Sequence, residues 1–483
     1  MKKVEKKDLQ QINSFTWEIP KSYRPDMLVP ARIYALEELV DAITGDRSLD
    51  QLVNVATLPG IVKASMVMPD VHQGYGFPIG GVAATRYPDG VISPGGIGYD
   101  INCGVRLLIS ELNYDQVKSR LEDLSKELYK QIPSGLGQGG SLQLTTNEID
   151  QVLRKGAAWA VEQGMGTEED LLHAESQARL EAADPSKVSP QAKKRGSDQL
   201  GTIGAGNHFV EVDRVEAIFD EAAAEAYGLQ LNQMVILIHT GSRGLGHQTA
   251  TDYLRTMMGA MSKYDIQPAD RELACVPLSS PEGQDYFHAM CAAANFAWCN
   301  RQVITEEARR AWSNIFGRAG GKLHVLYDVA HNIAKIEEHQ LNGERSKVIV
   351  HRKGATRAFG PGFAELPAAY QPVGQPVLIP GSMGTASYVL RGTKTSMKTS
   401  FGSSCHGAGR RLSRRAAKRQ VDAGSLLKKL RHKGIYVQAG SHRGVTEEAP
   451  IAYKDVDLVV ETVHQADIAR KVARLRPACV IKG

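Results

Sequence analysis

Apolar residues recur along this chain with two different periods, which predicts helices in some segments and strands in others. Helical spacing is clearest over residues 113–132, where the apolar positions are Val117, Leu121, Leu124 and Leu128. Further helical patterns cover residues 36–43, 149–160 and 285–316, and another begins at Thr167.

Three other segments are almost continuously apolar, as expected for strands buried on both faces. They are residues 105–109, 234–238 and 323–330. Residues 208–212 instead alternate, with His208, Val210 and Val212 on one face. The chain therefore has a mixed α and β pattern, and its strand order does not follow from the sequence.

The helical patterns between residues 113 and 198 form a separate block. Asn113 with Gln116, and Thr167 with Asp170, have the spacing of helix capping boxes. We expect residues 113–198 to be a helical insertion that projects from a single catalytic domain spanning residues 1–483. We assign no chemistry to this block.

Composition restricts the class of protein. A chain of 483 residues with 42% hydrophobic residues can bury a large core. No run approaches the roughly 18 to 20 apolar residues that span a bilayer, and the N-terminal residues lack a signal-peptide pattern. Six cysteines without paired spacing favour reduced thiols. We therefore expect a cytoplasmic protein without a membrane partner. A net charge of +5 permits a nucleic-acid partner without requiring one.

Potential metal ligands lie in glycine-rich loops and at the ends of predicted strands. Asp100 and Cys103 are three residues apart, so that a carboxylate and a thiolate can bind the same ion. With three histidines they suit one or two divalent cations, Mn²⁺ or Zn²⁺. The set is Asp100, Cys103, His208, His239 and His331. The alternative is a glycine-rich turn in which Cys103 is a small core residue.

Other polar residues suit supporting or phosphate-binding roles. We interpret Asp70, His72 and Gln73 as groups that orient the metal ligands. His406 lies between hydroxyl residues and glycines, a setting that suits a nucleophile. A basic helix is predicted to follow from Arg410, and its charge density favours a polyanion, although a solvated helix face would also explain it.

Seven segments occur in order along the chain: residues 68–74, the Asp100-x-x-Cys103 loop, and residues 206–211, 238–243, 330–332, 351–357 and 404–410. Together they resemble the RtcB family of RNA-splicing ligases. The resemblance extends from about Pro69 to the C-terminal Lys482 and Gly483. It implies an α+β fold in which a mixed-sheet catalytic core of the RtcB type carries the helical insertion.

The resemblance also implies a reaction. Enzymes of this kind use GTP and two Mn²⁺ ions to join RNA ends bearing a 2′,3′-cyclic phosphate or 3′-phosphate to 5′-hydroxyl ends. The implied route has a guanylylated histidine and an RNA-(3′)pp(5′)G intermediate. The RNA would be tRNA halves or broken RNA, in tRNA splicing or RNA repair. Whether an activating partner such as archease is needed stays open.

Family positions carry over residue by residue. The five metal candidates become Mn²⁺ ligands with the Cys103 thiolate bridging both ions, and His406 becomes the guanylylated histidine. Glu211 and Lys482 would read the guanine edge. The implied nucleotide contacts are Asn207, His208, Phe209, Glu211, His331, Asn332, Pro380, Gly381, Ser382, Met383, Ser387, His406, Gly407, Ala408, Gly409 and Lys482. Candidates for RNA phosphates are Arg243, Lys353 and Arg410.

Two other functions fit part of the pattern. A binuclear metal phosphodiesterase would use the same metal ligands without needing His406 or GTP. A non-enzymatic RNA-binding protein would explain the basic segment and leave the metal ligands without a role.

Overall fold

The structure is a computed structural model that describes residues 3–135 and 137–483. Its strands are β1 (Gln10–Asn13), β2 (Thr16–Ile19), β3 (Ala31–Tyr34), β4 (Ser65–His72), β5 (Ile79–Arg86), β6 (Val91–Ile92), β7 (Gly104–Asn113), β8 (Phe209–Ile218), β9 (Gln233–Thr240), β10 (Val276–Pro277), β11 (Leu323–Ala330), β12 (Asn332–Leu341), β13 (Glu344–Lys353), β14 (Ala355–Arg357), β15 (Pro376–Ile379), β16 (Ser387–Gly392), β17 (Ser403–Cys405), β18 (Tyr436–Ala439) and β19 (Ala469–Lys482).

The α-helices are α1 (Glu37–Ile43), α2 (Ser48–Val55), α3 (Tyr114–Val117), α4 (Leu121–Gln131), α5 (Thr146–Lys155), α6 (Ala157–Glu162), α7 (Glu168–Leu172), α8 (Pro190–Gly196), α9 (Glu221–Tyr227), α10 (Arg243–Ala260), α11 (Pro281–Phe316), α12 (Lys394–Thr399), α13 (Arg414–Gln420), α14 (Ala423–His432), α15 (His442–Glu447) and α16 (Val456–Gln465).

Two large sheets organise these elements. One has the order β1-β2-β3-β4-β5-β13-β12, and the other β11-β7-β9-β8-β19-β16-β15 with β18 added beside β19. The β3–β4 and β18–β19 pairs are parallel and the other pairs in these sheets are antiparallel. The expected α+β class with mixed sheets is therefore confirmed.

The strand register brings distant parts of the chain to one end of the second sheet. Gly104 of β7 pairs with Ala330 of β11 on one side and with Thr240 of β9 on the other. Phe209 of β8 pairs with His239 and with Lys482 of β19. Because antiparallel neighbours alternate in direction, the starts of β7 and β8 and the ends of β9, β11 and β19 meet at this end of the sheet.

The two sheets join at this same end of the second sheet. β11 ends at Ala330 in one sheet, and β12 begins at Asn332 in the other. Asn332 pairs with Lys353 at the end of β13. His331, between the two strands, is therefore the link between the sheets at this point.

The helical block of residues 113–198 packs on other elements of the protein. Its helices α4, α5 and α6 pack on the long buried helix α11, and α4 also contacts β18 and β19. Both capping boxes are present, and the predicted helix over residues 149–160 is divided at Gly156, whose φ is 60°. The division into one catalytic domain with an insertion stays a prediction.

Helix α11 carries buried polar residues that belong to an ion network. Arg301 binds Asp328 of β11, which also binds Arg106 of β7, and all three side chains are fully buried. Removing one partner from such a buried ion network costs about 3–5 kcal/mol, because a charge is left unpaired. The network therefore ties the helix to the strands that end at the sheet junction.

Neither a membrane span nor a disulfide occurs in the part of the chain that the structure describes. No helix there combines the length and apolarity that crossing a bilayer requires. All six cysteines are buried with free thiols.

Candidate functional site

The five predicted metal ligands converge at the sheet junction. Cys103 precedes β7, His208 precedes β8, His239 lies near the end of β9 and His331 follows β11. Asp100 lies in the loop before Cys103, whose amide donates to the Asp100 carbonyl oxygen at 2.9 Å. The strand register described above explains why these residues meet although up to 231 positions separate them in the sequence.

The ligand atoms form two groups that share the Cys103 sulfur. The Sγ atom lies 3.3 Å from His208 Nε2 and 3.4 Å from His239 Nε2. His239 Nε2 is 3.3 Å from His331 Nε2, and His208 Nε2 is 2.9 Å from Asp100 Oδ2. One group is Cys103, His239 and His331, and the other is Asp100, Cys103 and His208.

The chemistry of these donors fits metal cations. Burial and the nearby histidines lower the pKa of His239 and His331 well below the usual value, which keeps the imidazoles neutral and able to donate lone pairs. Burial and the Asp100 charge raise the pKa of the Cys103 thiol. A bound cation would reverse this effect by stabilising the thiolate, so metal binding would release a proton.

Helix α11 holds the loops that carry the ligands. The Arg301 guanidinium donates to the carbonyl oxygens of Asn102 and Thr240, each at 2.9 Å. Asn300 donates to the carbonyl oxygens of Thr202 and Gly241. Polar residues such as Asn300 and Arg301 within an otherwise apolar, Ala-rich helical segment were the sequence signal that could have indicated this role.

His406 lies beside the ligand cluster and is held by Asp70. Its ring centroid is 5.0 Å from that of His331, and its Nδ1 is 2.6 Å from Asp70 Oδ2. The His406 amide also donates to Asp70 Oδ2, at 3.0 Å. Burial opposes ionisation of Asp70, but the attraction and hydrogen bonds of His406 lower its pKa overall. Asp70 is therefore a carboxylate that accepts the Nδ1 proton, which leaves the lone pair on Nε2.

This geometry changes the interpretation of Asp70. The sequence pattern predicts that Asp70, with His72 and Gln73, orients the metal ligands. The structure instead pairs Asp70 with His406, while His72 Nδ1 is 3.0 Å from the carbonyl oxygen of Asp70. The backbone at residue 409 lies close to Asp70, and only glycine fits there, because a Cβ on Gly409 would be 2.0 Å from the Asp70 carbonyl oxygen.

We expect Asp70→Asn to slow any reaction in which His406 Nε2 is the nucleophile by about 10³-fold or more. The asparagine amide can donate to Nδ1 and so move the ring proton to Nε2, a tautomer change that costs about 10⁴-fold in serine proteases. Pre-steady-state labelling of His406 by a phosphoryl donor measures this rate.

The matched control for that variant is Asp115→Asn, which changes an exposed carboxylate on α3. Equal labelling rates in Asp70→Asn and the control would contradict the orienting role of Asp70.

A cavity of about 680 Å³ opens over the cluster and His406. All but one of the sixteen predicted nucleotide contacts line it, from Asn207 to Lys482. The exception is Ser387, whose hydroxyl donates to Glu211 Oε1 at 3.3 Å and accepts from the Gly381 amide at 3.0 Å. The structure thus places the predicted metal ligands, nucleophile and nucleotide contacts around one space.

The family model described as tRNA-splicing ligase RtcB matches residues 51–483. The chain belongs to the RtcB family. The RtcB family resemblance is thereby confirmed, and with it membership of a family of RNA ligase enzymes.

Three members of the RtcB family, each named tRNA-splicing ligase RtcB, illustrate the similarity. The protein of Thermococcus kodakarensis is 56% identical over 477 residues, which is 98% of this chain and 99% of that protein. Those of Aeropyrum pernix and Archaeoglobus fulgidus are 53% and 52% identical, again over 98% of this chain and 99% of theirs.

The guanine-reading pair predicted from the RtcB resemblance has an additional neighbour. Glu211 and Asp213 are both buried and, two residues apart, point to the same face of β8. Burial and Asp213 raise the pKa of Glu211 well above its usual value, and burial raises that of Asp213 to about 7. Burial lowers the pKa of Lys482 to about 8, against the attraction of Glu448 and Glu211.

The three predicted RNA-phosphate contacts have different surroundings. Arg243 has a left-handed φ of 54° and donates from Nε to Thr202 Oγ1 at 3.0 Å. Arg410 lines the cavity and pairs with Glu448 at 3.0 Å. Lys353 is buried and donates from Nζ to the carbonyl oxygens of Tyr75 and Phe77. Its amino group therefore binds the protein backbone, and its role as an RNA contact stays a prediction.

The predicted basic helix begins later than expected. Ser413 caps α13, which starts at Arg414, so Arg410 and Arg411 lie in the preceding loop. Arg414 pairs with Glu448 at 3.1 Å, lines the cavity and is 54% exposed. The start of the helix therefore places Arg414 at the cavity, together with the loop arginines.

Proposed function

We propose that the protein is a GTP- and Mn²⁺-dependent RNA ligase. It would join RNA ends bearing a 2′,3′-cyclic phosphate or 3′-phosphate to 5′-hydroxyl ends. The observation that carries the proposal is the placement of His406, whose Nδ1 is 2.6 Å from Asp70 and whose ring lies beside the His331 ring in the shared cavity.

In the first step, His406 Nε2 attacks the α-phosphorus of GTP. A phosphorus–nitrogen bond forms, the bond to the β-phosphate oxygen breaks, and pyrophosphate leaves. The Asp70 carboxylate keeps the ring proton on Nδ1 and stabilises the positive charge that develops on the imidazole. Arg410 and Arg414, both lining the cavity, supply positive charge toward the phosphates.

Two Mn²⁺ ions would be held by the two ligand groups that share Cys103. When bound, they would act as Lewis acids on phosphoryl oxygens and orient the leaving group. The neutral imidazoles of His239 and His331 and the carboxylate of Asp100 supply the mixed nitrogen and oxygen donors, and Cys103 supplies the sulfur.

A 2′,3′-cyclic end is first opened by water, which breaks the bond from phosphorus to O2′ and leaves a 3′-phosphate. In the second step the GMP group passes from His406 to that 3′-phosphate. The phosphorus–nitrogen bond breaks and a pyrophosphate linkage forms, which gives RNA-(3′)pp(5′)G. The RNA 5′-hydroxyl then attacks the 3′-phosphorus, GMP leaves, and a phosphodiester remains. His406 recovers the Nε2 lone pair, so that the residue can react again.

In guanine recognition, Glu211 would accept hydrogen bonds and Lys482 would donate one. The guanine N1–H and amino group donate hydrogen bonds, which a Glu211 carboxylate accepts, whereas Lys482 donates to O6. Adenine reverses the donor at N1 and the acceptor at position 6, so the same pair would reject ATP. Glu211 must therefore be ionised when the base is bound.

We expect Asp213→Asn to extend GMP binding to lower pH. The substitution removes a repelling carboxylate and supplies an amide that can donate to Glu211, so the pKa of Glu211 falls. The midpoint of the acidic loss of affinity should move down by about one pH unit or more, which calorimetric titrations between pH 5 and 9 measure.

The same pair gives a stability test with a definite sign. The folded-state pKa of Asp213 is raised to about 7, above the ordinary value near 3.8 that the group has in the unfolded chain. The contribution of this carboxyl group to the free energy of unfolding is therefore complete below about pH 3.8 and is lost as the pH rises through 7. Asp213→Asn should remove that decline. An unchanged pH profile for both GMP binding and unfolding, matching the exposed control Asp115→Asn, would refute the coupling.

One labelling experiment tests the proposed function. The protein, Mn²⁺ and GTP labelled at the α-phosphate should give a covalent adduct that γ-labelled GTP does not give. A binuclear phosphodiesterase would hydrolyse RNA without becoming labelled, and an RNA-binding protein would do neither. Absence of an α-labelled adduct with metal bound would overturn the ligase proposal.

The remaining assignments are also proposals. The RNA would be tRNA halves or broken RNA, and a requirement for an activator such as archease is tested by adding it to the ligation assay. The six buried thiols are compatible with the cytoplasmic location that we propose.

A further inference from the structure

Three aromatic rings form a continuous row beside the ligand cluster. The Tyr75 and Tyr99 ring centroids are 5.5 Å apart with an interplanar angle of 59°. The Tyr99 and His247 centroids are 4.9 Å apart at 23°, which is a stacked arrangement. The three rings therefore form one aromatic surface, although Tyr75, Tyr99 and His247 are far apart in the sequence.

The row leads from the cavity to the protein surface. Tyr75 and Tyr99 are half-buried and line the cavity, whereas His247 is exposed. Tyr99 directly precedes the ligand Asp100, and His247 lies one turn after Arg243 on α10. None of the three rings belongs to the predicted nucleotide contacts, so GMP would leave them accessible.

The backbone around the rings is held firmly. The Tyr75 carbonyl oxygen accepts from Lys353 Nζ, and the next amide, that of Gly76, donates to Glu272 Oε2 at 2.8 Å. The loop before Tyr99 is closed by the Gly98 amide, which donates to the Pro94 carbonyl oxygen at 2.8 Å. Rigid support lets aromatic side chains bind flat ligands with little loss of conformational entropy.

The chemistry of this surface suits nucleobases. Proteins bind single-stranded nucleic acid by stacking bases on aromatic side chains beside cations that contact the backbone phosphates. Burial and the charge of Arg195 lower the pKa of His247, which favours the neutral ring beside the arginines. Arg243, one helical turn away, can contact a phosphate of the same strand.

We infer that Tyr75, Tyr99 and His247 are a stacking platform for the nucleobases of a single-stranded RNA end that enters the ligation site. The inference rests on the proposed function, because it takes RNA as the substrate. It adds that the end is positioned through its bases, independently of base identity, and not through phosphate contacts alone.

The test uses RNA strands with 2-aminopurine at the terminal nucleotide, one strand ending in 3′-phosphate and the other in 5′-hydroxyl. At saturating protein, stacking should quench the fluorescence of at least one strand. Tyr99→Ala should remove that quenching and weaken binding on the order of tenfold. Tyr99→Phe keeps the aromatic face and should retain both properties.

The matched control is Tyr129→Ala, which removes a tyrosine that is 37% exposed on α4. Metal content is measured in every variant, since Tyr99 adjoins Asp100. Undiminished quenching by Tyr99→Ala of a strand that the unaltered protein quenches, or no quenching by the unaltered protein, would overturn the platform. Failure of the unaltered protein to form a GMP adduct would instead overturn the ligase proposal, so the two failures are distinguishable.

Discussion

His406→Ala is expected to abolish covalent labelling by α-labelled GTP and ligation from a 3′-phosphate, while the protein keeps its metal. Alanine has no nitrogen to attack phosphorus, and His406 is not a member of either ligand group. Gel-based detection of the adduct, with metal analysis of the same sample, checks both parts of the expectation.

The matched control is His324→Ala, which removes an exposed histidine from β11. That variant should be labelled like the unaltered protein. Persistent covalent GMP on His406→Ala would show that another residue is the nucleophile.

Cys103→Ala is expected to lose both metal ions together with every step of ligation. Its sulfur is the only atom shared by the two ligand groups found among residues 3–135 and 137–483, so one substitution removes a donor from each. Changing a residue that merely supports a ligand typically costs 10–100-fold in metal affinity, and loss of a shared ligand should cost at least about 100-fold.

Metal analysis after gel filtration measures this loss. Cys299→Ala, at another buried thiol, is the control and should retain metal. Two ions per molecule in Cys103→Ala would contradict a bridging sulfur. Since binding to Cys103 releases a proton, the metal affinity of the unaltered protein should also decrease as the pH falls.

The local features of the fold were predictable because they depend on neighbouring residues. The capping boxes at Asn113 and Thr167 and the apolar strands ending near His239 and His331 were all present in the structure. The start of the basic helix was wrong, because Ser413 is the capping residue and Arg410 precedes it.

The long-range features were not predictable in the same way. Asp70 and His406 are 336 residues apart, and their contact depends on how β4 and β17 are placed in different sheets. The hydrogen bonds from Arg301 to the loops that carry the ligands depend on which face of α11 meets those loops. The five candidate ligands could be named from glycine-rich loops and strand ends, but their division into two groups required the strand register.

His331 connects β11 of one sheet to β12 of the other, and its imidazole belongs to a ligand group. A cation bound there would bind to groups at the junction of both sheets and would favour the folded state by mass action. The concentration of free divalent cation should therefore set how often this region opens to solvent, and amide hydrogen exchange should slow in both sheets as the ion is added.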